Sequence, residues 1–143
     1  VVGYTIGRRA KNSFLKIVSN SFQLSIFSGL VISIIYLLTF EIIINELTNL
    51  DYLRFLTFNY IFWIIVIPPV ASICYQLDGI FIGASQTAEM RNAMLISVII
   101  FITSSDFLIN NFGNHGLWLS LLFFMVLRSI TLNYYFNRIL IKF

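Results

Sequence analysis

The stretch QLDGIFIGASQTAEMRNAM, residues 76–94, carries the most informative pattern of this 143-residue chain. One carboxylate, Asp78, and two glycines four residues apart, Gly79 and Gly83, stand at the end of a long apolar run, and a polar turn with Arg91 leads into the next run. Charge inside a bilayer is costly and is usually kept for a function or a partner. Glycines four apart let two helices approach closely. The stretch therefore predicts packed membrane helices with a candidate site near one end.

The composition of the chain is that of an integral membrane protein. It is 59% hydrophobic and 10% charged, with a mean hydropathy of +0.90, whereas soluble domains are about 45–50% apolar and about 25% charged. Spanning a bilayer takes about 20 apolar residues, and four runs qualify: 22–44, 55–84, 93–109 and 117–136. They lack the period-two alternation of barrel strands, and helices are the other way to satisfy a backbone in lipid. We therefore predict an all-α, polytopic protein with four complete transmembrane helices.

The residues before the first run predict two further segments. Residues 1–7 are typical of the end of a helix already under way, so we expect the chain to be the C-terminal piece of a longer protein. Residues 8–20 predict a cytoplasmic linker. This linker either lies along the membrane surface as an amphipathic segment or is the solvated start of the following helix.

Basic residues are concentrated on one side of the predicted membrane. That side holds seven of them, namely Arg8, Arg9, Lys11, Lys16, Arg91, Arg138 and Lys142, and the other side holds only Arg54. By the positive-inside rule this places the C-terminus in the cytoplasm, with loops 45–54 and 110–116 outside. We predict a multi-pass protein of the inner (plasma) membrane. Because topology accounts for the net charge of +3, no nucleic-acid partner is predicted.

Three features inside the spans are candidates for transport or gating. Asp78 is a gating or coupling carboxylate that faces a polar cavity, or a group that binds the substrate or ion directly, or a structural residue. In the structural case it forms an interhelical hydrogen bond or a pair with Arg91 or Arg128. Pro68 and Pro69 remove helix hydrogen bonds in the middle of the second run and predict a kink, for a transport pathway or for packing alone.

Arg128 lies about half-way along the last run, where it needs an acidic or carbonyl partner. That partner lies within this chain or beyond it, and in the chain alone we expect both Arg128 and Asp78 to lack some partners. Gly29 and Ser33, four apart in the first run, predict a close helix contact.

No pattern in the chain predicts an enzyme. There is no phosphate-binding glycine loop, HExxH motif or GxSxG elbow in the sequence. His115 is a lone histidine without other ligands at metal-binding spacing, and Cys74 is expected to be a small buried hydrophobe. We predict no catalytic residue, no metal site and no cofactor.

Three segments resemble the multidrug and toxic compound extrusion (MATE) family of transporters. LDGIFIGASQTAEMRNAM, residues 77–94, resembles the family's tenth helix and the turn that follows, and is most similar to the DNA-damage-inducible protein F-like branch. VGYTIG, residues 2–7, resembles the end of the eighth helix. GNHGLWLSLLFFMVLRSITL, residues 113–132, resembles the last helix. The resemblance covers essentially the whole chain.

The resemblance implies a twelve-helix transporter made of two six-helix bundles. This chain would supply part of the second bundle, and its partner would be the missing N-terminal lobe of the same polypeptide. Such proteins export small amphipathic or cationic compounds in exchange for a proton or sodium. Only Asp78, Gly79, Gly83 and Arg91 match motif positions, and the implied role is structural or gating.

Two other functions compete with this one. A lipid-linked oligosaccharide flippase of the same superfamily would tend to carry more cations in its central cavity, whereas Arg128 is the only basic residue clearly inside a span here. A small, non-transporting membrane scaffold subunit would need no coupling residues.

Overall fold

The computed structural model describes residues 1–141; Lys142, one of the predicted cytoplasmic residues, lies outside them with Phe143. The described residues form helices and turns without a strand. The helices are α1 (Val2–Gly7), α2 (Lys11–Leu47), α3 (Asp51–Phe58), α4 (Ile61–Gly83), α5 (Thr87–Phe112) and α6 (Asn114–Leu140). Four of them, α2, α4, α5 and α6, are long and apolar enough to cross a membrane. This confirms the prediction of an all-α membrane protein with four such helices.

The first long helix begins before the apolar run at 22–44, in agreement with the second of the two alternatives for residues 8–20. The structure continues α2 without a break from Lys11, so most of the predicted linker at 8–20 is helical. This stretch contains no proline or glycine, and Phe14 and Val18, four residues apart, pack into the core with 0% and 8% exposure. Burial of that face stabilises a continuous helix of 37 residues, about 55 Å long at 1.5 Å per residue.

The second predicted span, 55–84, is divided in the structure. Its first residues belong to α3, Asn59 and Tyr60 form a turn, and α4 begins at Ile61. The Nε of Arg54 donates to the carbonyl of Thr48 over 2.9 Å, and its Nη2 donates to the carbonyl of Asn45 over 3.4 Å. These bonds tie α3 to the end of α2, so the short helix is a connection and not the start of the span.

The connection between the last two helices is shorter than predicted. We expected a loop at 110–116 between spans 93–109 and 117–136, but only Gly113 separates α5 from α6. Asn111 remains helical and donates its side chain to the carbonyl of Phe107 over 2.7 Å. Gly113 adopts φ 58°, which favours glycine, and a Cβ on Gly116 would collide with the carbonyl of Leu108. Two glycines therefore make this tight turn possible.

The long helices pack in the spatial order α2, α4, α6, α5, and α1 contacts α2 and α4. We call the end where α2 and α5 begin the inner end, since the topology prediction places it in the cytoplasm, and the opposite end the outer end. The main apolar core includes inner-end residues from α2, α4, α5 and α6 and comprises Phe14, Val18, Leu77, Ile80, Phe81, Ala84, Ala93, Leu132 and Ile139. Much of the remaining surface exposes large apolar side chains, as expected for helices that contact lipid.

Candidate functional site

Asp78 of α4 and Arg128 of α6 form an ion pair between their helices. The Nη2 of Arg128 lies 2.9 Å from Oδ2 and 3.0 Å from Oδ1 of Asp78. The side chains are only 13% exposed for Arg128 and 14% for Asp78. Of the two partners considered for Asp78, the structure selects Arg128. Arg91 is exposed on α5 and makes no ion pair within residues 1–141.

We expected Asp78 and Arg128 to lack some partners in this chain, and the structure shows that they are partners of each other. Each neutralises the charge of the other. A buried pair adds little stability relative to apolar residues, but removing one member leaves an uncompensated charge. The Nε of Arg128 is buried and has no hydrogen-bond partner in the described part of the chain. The arrangement therefore fixes the spacing of α4 and α6 and would be disrupted by loss of either charge.

The two glycines of the motif have different environments. A Cβ on Gly83 would lie 2.9 Å from the Cβ of Val2, and one on Gly3 would lie 3.0 Å from the carbonyl oxygen of Gly83. Gly83 therefore permits the close approach of α1 and α4. Gly79 is exposed, and a Cβ added to it would have no heavy atom of a neighbouring element within 4 Å. The prediction of a close helix contact is wrong for Gly79 within the described residues.

The two prolines lie inside α4, and the helix continues through them. Because Pro69 has no N–H, the carbonyl of Ile65 loses its partner within the helix. The hydroxyl of Ser33 on α2 donates to that carbonyl over 2.7 Å. A Cβ on Gly29 would lie 2.9 Å from the Cα of Pro69 and 3.1 Å from the carbonyl oxygen of Pro68. The predicted close contact at Gly29 and Ser33 is thus confirmed, and α2 replaces a hydrogen bond that a proline removes.

This contact is part of a longer row of small and polar residues, which we call the α2–α4 seam. Its α2 members are Ser21, Ser25, Gly29 and Ser33, and they face Gln76, Ser72, Pro69 and Ile65 of α4 in antiparallel order. The amide of Gln76 donates to the hydroxyl of Ser21 over 2.7 Å, and the hydroxyl of Ser25 donates to the carbonyl of Ser72 over 2.9 Å. The first half of the seam was not predicted, although its regular spacing of four residues is visible in the sequence.

Two further contacts join the helices near their ends. At the inner end, Nη1 of Arg138 on α6 lies 3.3 Å from Oε1 of Glu89 on α5. Near the outer end, the indole N–H of Trp63 on α4 donates to Nδ1 of His115 on α6 over 3.0 Å. The ring of Tyr60 lies 4.8 Å from that of His115, centre to centre. Both contacts are partly exposed.

The described residues contain no cluster of side chains that could form a metal site. Within residues 1–141, no three or more His, Cys, Asp or Glu side chains are grouped closely enough to bind an ion. Cys74 is 2% exposed, which confirms that it is a buried residue. The polar groups described above serve contacts between helices.

The fold and these contacts define a polytopic α-helical membrane protein with polar interfaces between its helices. Comparison with known proteins shows that the chain is similar to DNA damage-inducible protein F of Escherichia coli (strain K12), a MATE family member. The two are 36% identical over 130 residues, which cover 91% of this chain and 28% of that protein. The resemblance to the MATE family is thereby confirmed, and the chain spans little more than a quarter of its relative's length. No family model matches the chain, and no solved structure matches it.

Proposed function

We propose that this chain is part of a secondary active transporter that exports small amphipathic or cationic compounds in exchange for a proton or sodium. The observation that carries the proposal is the 36% identity to a MATE family member across 91% of the chain. Four helices long enough to span a membrane support it. The proposal places the protein in the inner membrane with a cytoplasmic C-terminus, and it requires no catalytic residue, metal or cofactor.

In this proposal the site residues keep four helices together as one moving unit. Alternating access largely moves one bundle against another around a central site. The Asp78–Arg128 pair holds α4 to α6, the α2–α4 seam holds α2 to α4, and the Glu89–Arg138 pair joins α5 to α6. The open surface at Gly79 is then available for the other lobe of the same polypeptide. Asp78 and Arg128 act by positioning α4 and α6. Pro68 and Pro69 shape α4, which takes part in both interfaces.

The pairing of Arg128 favours the export proposal over the flippase alternative. A lipid-linked pyrophosphate needs cationic groups that are free to bind it. The charge of Arg128 is already balanced by Asp78 at 2.9 Å, so it offers no free cation to such a substrate. A polyprenyl-linked compound found bound to the purified protein would reverse this ranking.

The transport proposal is tested by expressing the complete reading frame that contains this chain in a host that lacks its own drug efflux pumps. We expect increased resistance to several cationic compounds and faster efflux of a cationic dye. Collapse of the proton gradient or of the sodium gradient, one at a time, then identifies the coupling ion. The matched control is the Asp78→Ala variant at equal expression. Unchanged resistance and dye efflux across a broad panel would overturn the proposal.

We also propose that the 143 residues do not transport alone. Alternating access needs two bundles, and this chain contributes four helices of spanning length. We expect the purified 143-residue chain in vesicles to show no ion-driven dye movement. Movement driven by a proton or sodium gradient would contradict this and favour a self-contained small transporter. A reading frame that starts directly before Val1 and shows no transport would instead favour the scaffold alternative.

A further inference from the structure

The charges that lack a partner are separated between the two ends of the molecule. Three acidic residues are paired, in Asp78–Arg128, Glu89–Arg138 and Asp51–Arg54. The basic residues without an acidic partner within residues 1–141 are Arg8, Arg9, Lys11, Lys16 and Arg91, and all five lie at the inner end. The acidic residues Glu41, Glu46 and Asp106, which make no ion pair with the described residues, lie towards the outer end. We call the five basic residues the inner collar.

The inner collar is exposed and held on folded parts of the chain. All five side chains belong to exposed residues. Lys11 and Lys16 are exposed residues of α2, whereas Phe14, which lies between them in the sequence, is fully buried in the core. The turn between α1 and α2 is closed by hydrogen bonds from Arg9 N–H to the carbonyl of Ile6 and from Ala10 N–H to the carbonyl of Thr5, both 3.0 Å long. The guanidinium carbon of Arg8 lies 4.8 Å from the centre of the Tyr4 ring, over its face.

The length of α2 places part of this collar at the depth of the lipid headgroups. The apolar part of α2, residues 22–44, extends about 34 Å at 1.5 Å per residue, which already fills a hydrocarbon core about 30 Å thick. Lys16 then lies roughly 9 Å beyond the first apolar residue, in the headgroup layer. Long basic side chains reach the headgroups from positions near helix ends.

We propose that the inner collar binds the headgroups of anionic phospholipids. Positive charges without protein partners, at headgroup depth, complement the negative charge of such lipids, and basic residues near a membrane surface are attracted to it. The chemistry recognised is a phosphodiester held in a bilayer, not free phosphate. This inference rests on membrane insertion in the proposed orientation but not on transport activity.

The test measures lipid binding on the protein expressed from its complete reading frame and purified in a neutral detergent. Native mass spectrometry compares retention of phosphatidylglycerol with that of phosphatidylcholine of the same acyl chains. We expect phosphatidylglycerol to be retained preferentially. The preference should fall roughly tenfold or more in each paired variant, Arg8→Gln/Arg9→Gln and Lys11→Gln/Lys16→Gln. The paired variants remove two charges at a time, so most of the charge that sets topology remains.

The matched control removes charge from the opposite end. Glu41→Gln/Glu46→Gln should leave the lipid preference unchanged. Equal retention of both lipids by the unmodified protein would overturn the proposal. So would equal loss of preference in the control, or displacement of phosphatidylglycerol by millimolar inorganic phosphate. If the basic variants fail to purify, titrating the unmodified protein in vesicles of rising phosphatidylglycerol content decides the matter. A thermal midpoint independent of that content, at low and at high salt, contradicts the proposal.

Discussion

Polar groups are satisfied differently in the α4–α6 interface and in the α2–α4 interface. Both must satisfy polar groups inside an apolar bundle. The first concentrates polarity in two full charges, Asp78 and Arg128, at 2.9 Å. The second distributes it over hydroxyl and amide groups, of which Ser33 and Ser25 donate to backbone carbonyls of α4.

The two interfaces should therefore respond differently to substitution. In the charged pair each member is satisfied by the other, so loss of one leaves a whole charge in a low-dielectric setting. In the α2–α4 seam each hydrogen bond contributes little free energy, and the neighbouring hydrogen bonds remain when one is lost. We therefore expect a single substitution in the charged pair to cause a large loss of stability. A single substitution in the α2–α4 seam should cause only a small one.

The largest effect is expected when one member of the charged pair is removed. Asp78→Ala should lower the free energy of unfolding by about 3–5 kcal/mol, since Arg128 is left buried without its counter-charge. The double variant Asp78→Ala/Arg128→Met should recover most of that loss. Denaturant-induced unfolding of the full-length protein in micelles measures both.

Asp51→Ala is the matched control for that experiment. Its pair with Arg54 leaves the Asp51 side chain 97% exposed, so we expect no measurable change in stability. If the double variant were as unstable as Asp78→Ala, the pair would not be the cause. Wild-type efflux by Asp78→Ala in the complete protein would refute the proposal that Asp78 positions the helices for transport.

A smaller effect is expected from filling the close contact in the seam. A Cβ at Gly29 would lie 2.8 Å from the hydroxyl of Ser72 and 2.9 Å from the Cα of Pro69. Gly29→Ala should therefore destabilise the protein by about 1–3 kcal/mol through overpacking. Thermal unfolding in micelles measures the change.

Gly79→Ala is the matched control for Gly29→Ala. A Cβ at Gly79 would have no heavy atom of a neighbouring element within 4 Å, and alanine is the better helix former by roughly 0.5–1 kcal/mol. We expect equal or slightly higher stability. A strong destabilisation by Gly79→Ala in the complete protein would show that another part of the polypeptide packs against this surface.

A still smaller effect is expected at the carbonyl freed by Pro69. Ser33→Ala should cost about 0.6 kcal/mol and at most about 1.7 kcal/mol, the range for single hydrogen bonds between membrane helices. In a Pro69→Ala background the restored N–H can bond to the carbonyl of Ile65, so the effect of Ser33→Ala should disappear. Ser28→Ala is the control, because Ser28 donates only within its own helix. A double-mutant cycle with no coupling would contradict the assignment.

The smallest effect is expected at the outer end. The Trp63–His115 hydrogen bond is exposed, so His115→Phe should lower the free energy of unfolding by less than about 1 kcal/mol. The same substitution should have no effect after Trp63→Phe. A larger loss that persists in the Trp63→Phe background would assign His115 another contact.

Hydropathy located the helices but not all of their ends. The four spans follow from local composition, so each could be predicted without knowing its neighbours. The continuation of α2 back to Lys11 depends on Phe14, which is buried in a core with Phe81 of α4. The division at Asn59 and Tyr60 depends on contacts of Arg54 with the end of α2. A hydropathy profile describes local segments and therefore does not predict contacts between distant segments.

The candidate site was predictable to a similar extent. Asp78 and Arg128 were recognisable because charge is rare in these runs. The choice between Arg91 and Arg128 as the partner of Asp78 was not, because it depends on which helices are neighbours. Ser21 and Ser25 continue the spacing of Gly29 and Ser33, so the whole seam could have been predicted from that pattern.

The amino-acid sequence by itself determines the membrane class, the four spanning helices and the excess of basic residues at one end, because length, hydropathy and charge are properties of each local segment. Folding determines which charge pairs with Asp78, which glycine is a contact, and which hydroxyl bonds to the carbonyl freed by Pro69. These outcomes depend on how each helix is rotated and which helix lies beside it. The Asp78–Arg128 pair joins residues 50 positions apart, and only the packing of α4 against α6 brings them within hydrogen-bond distance.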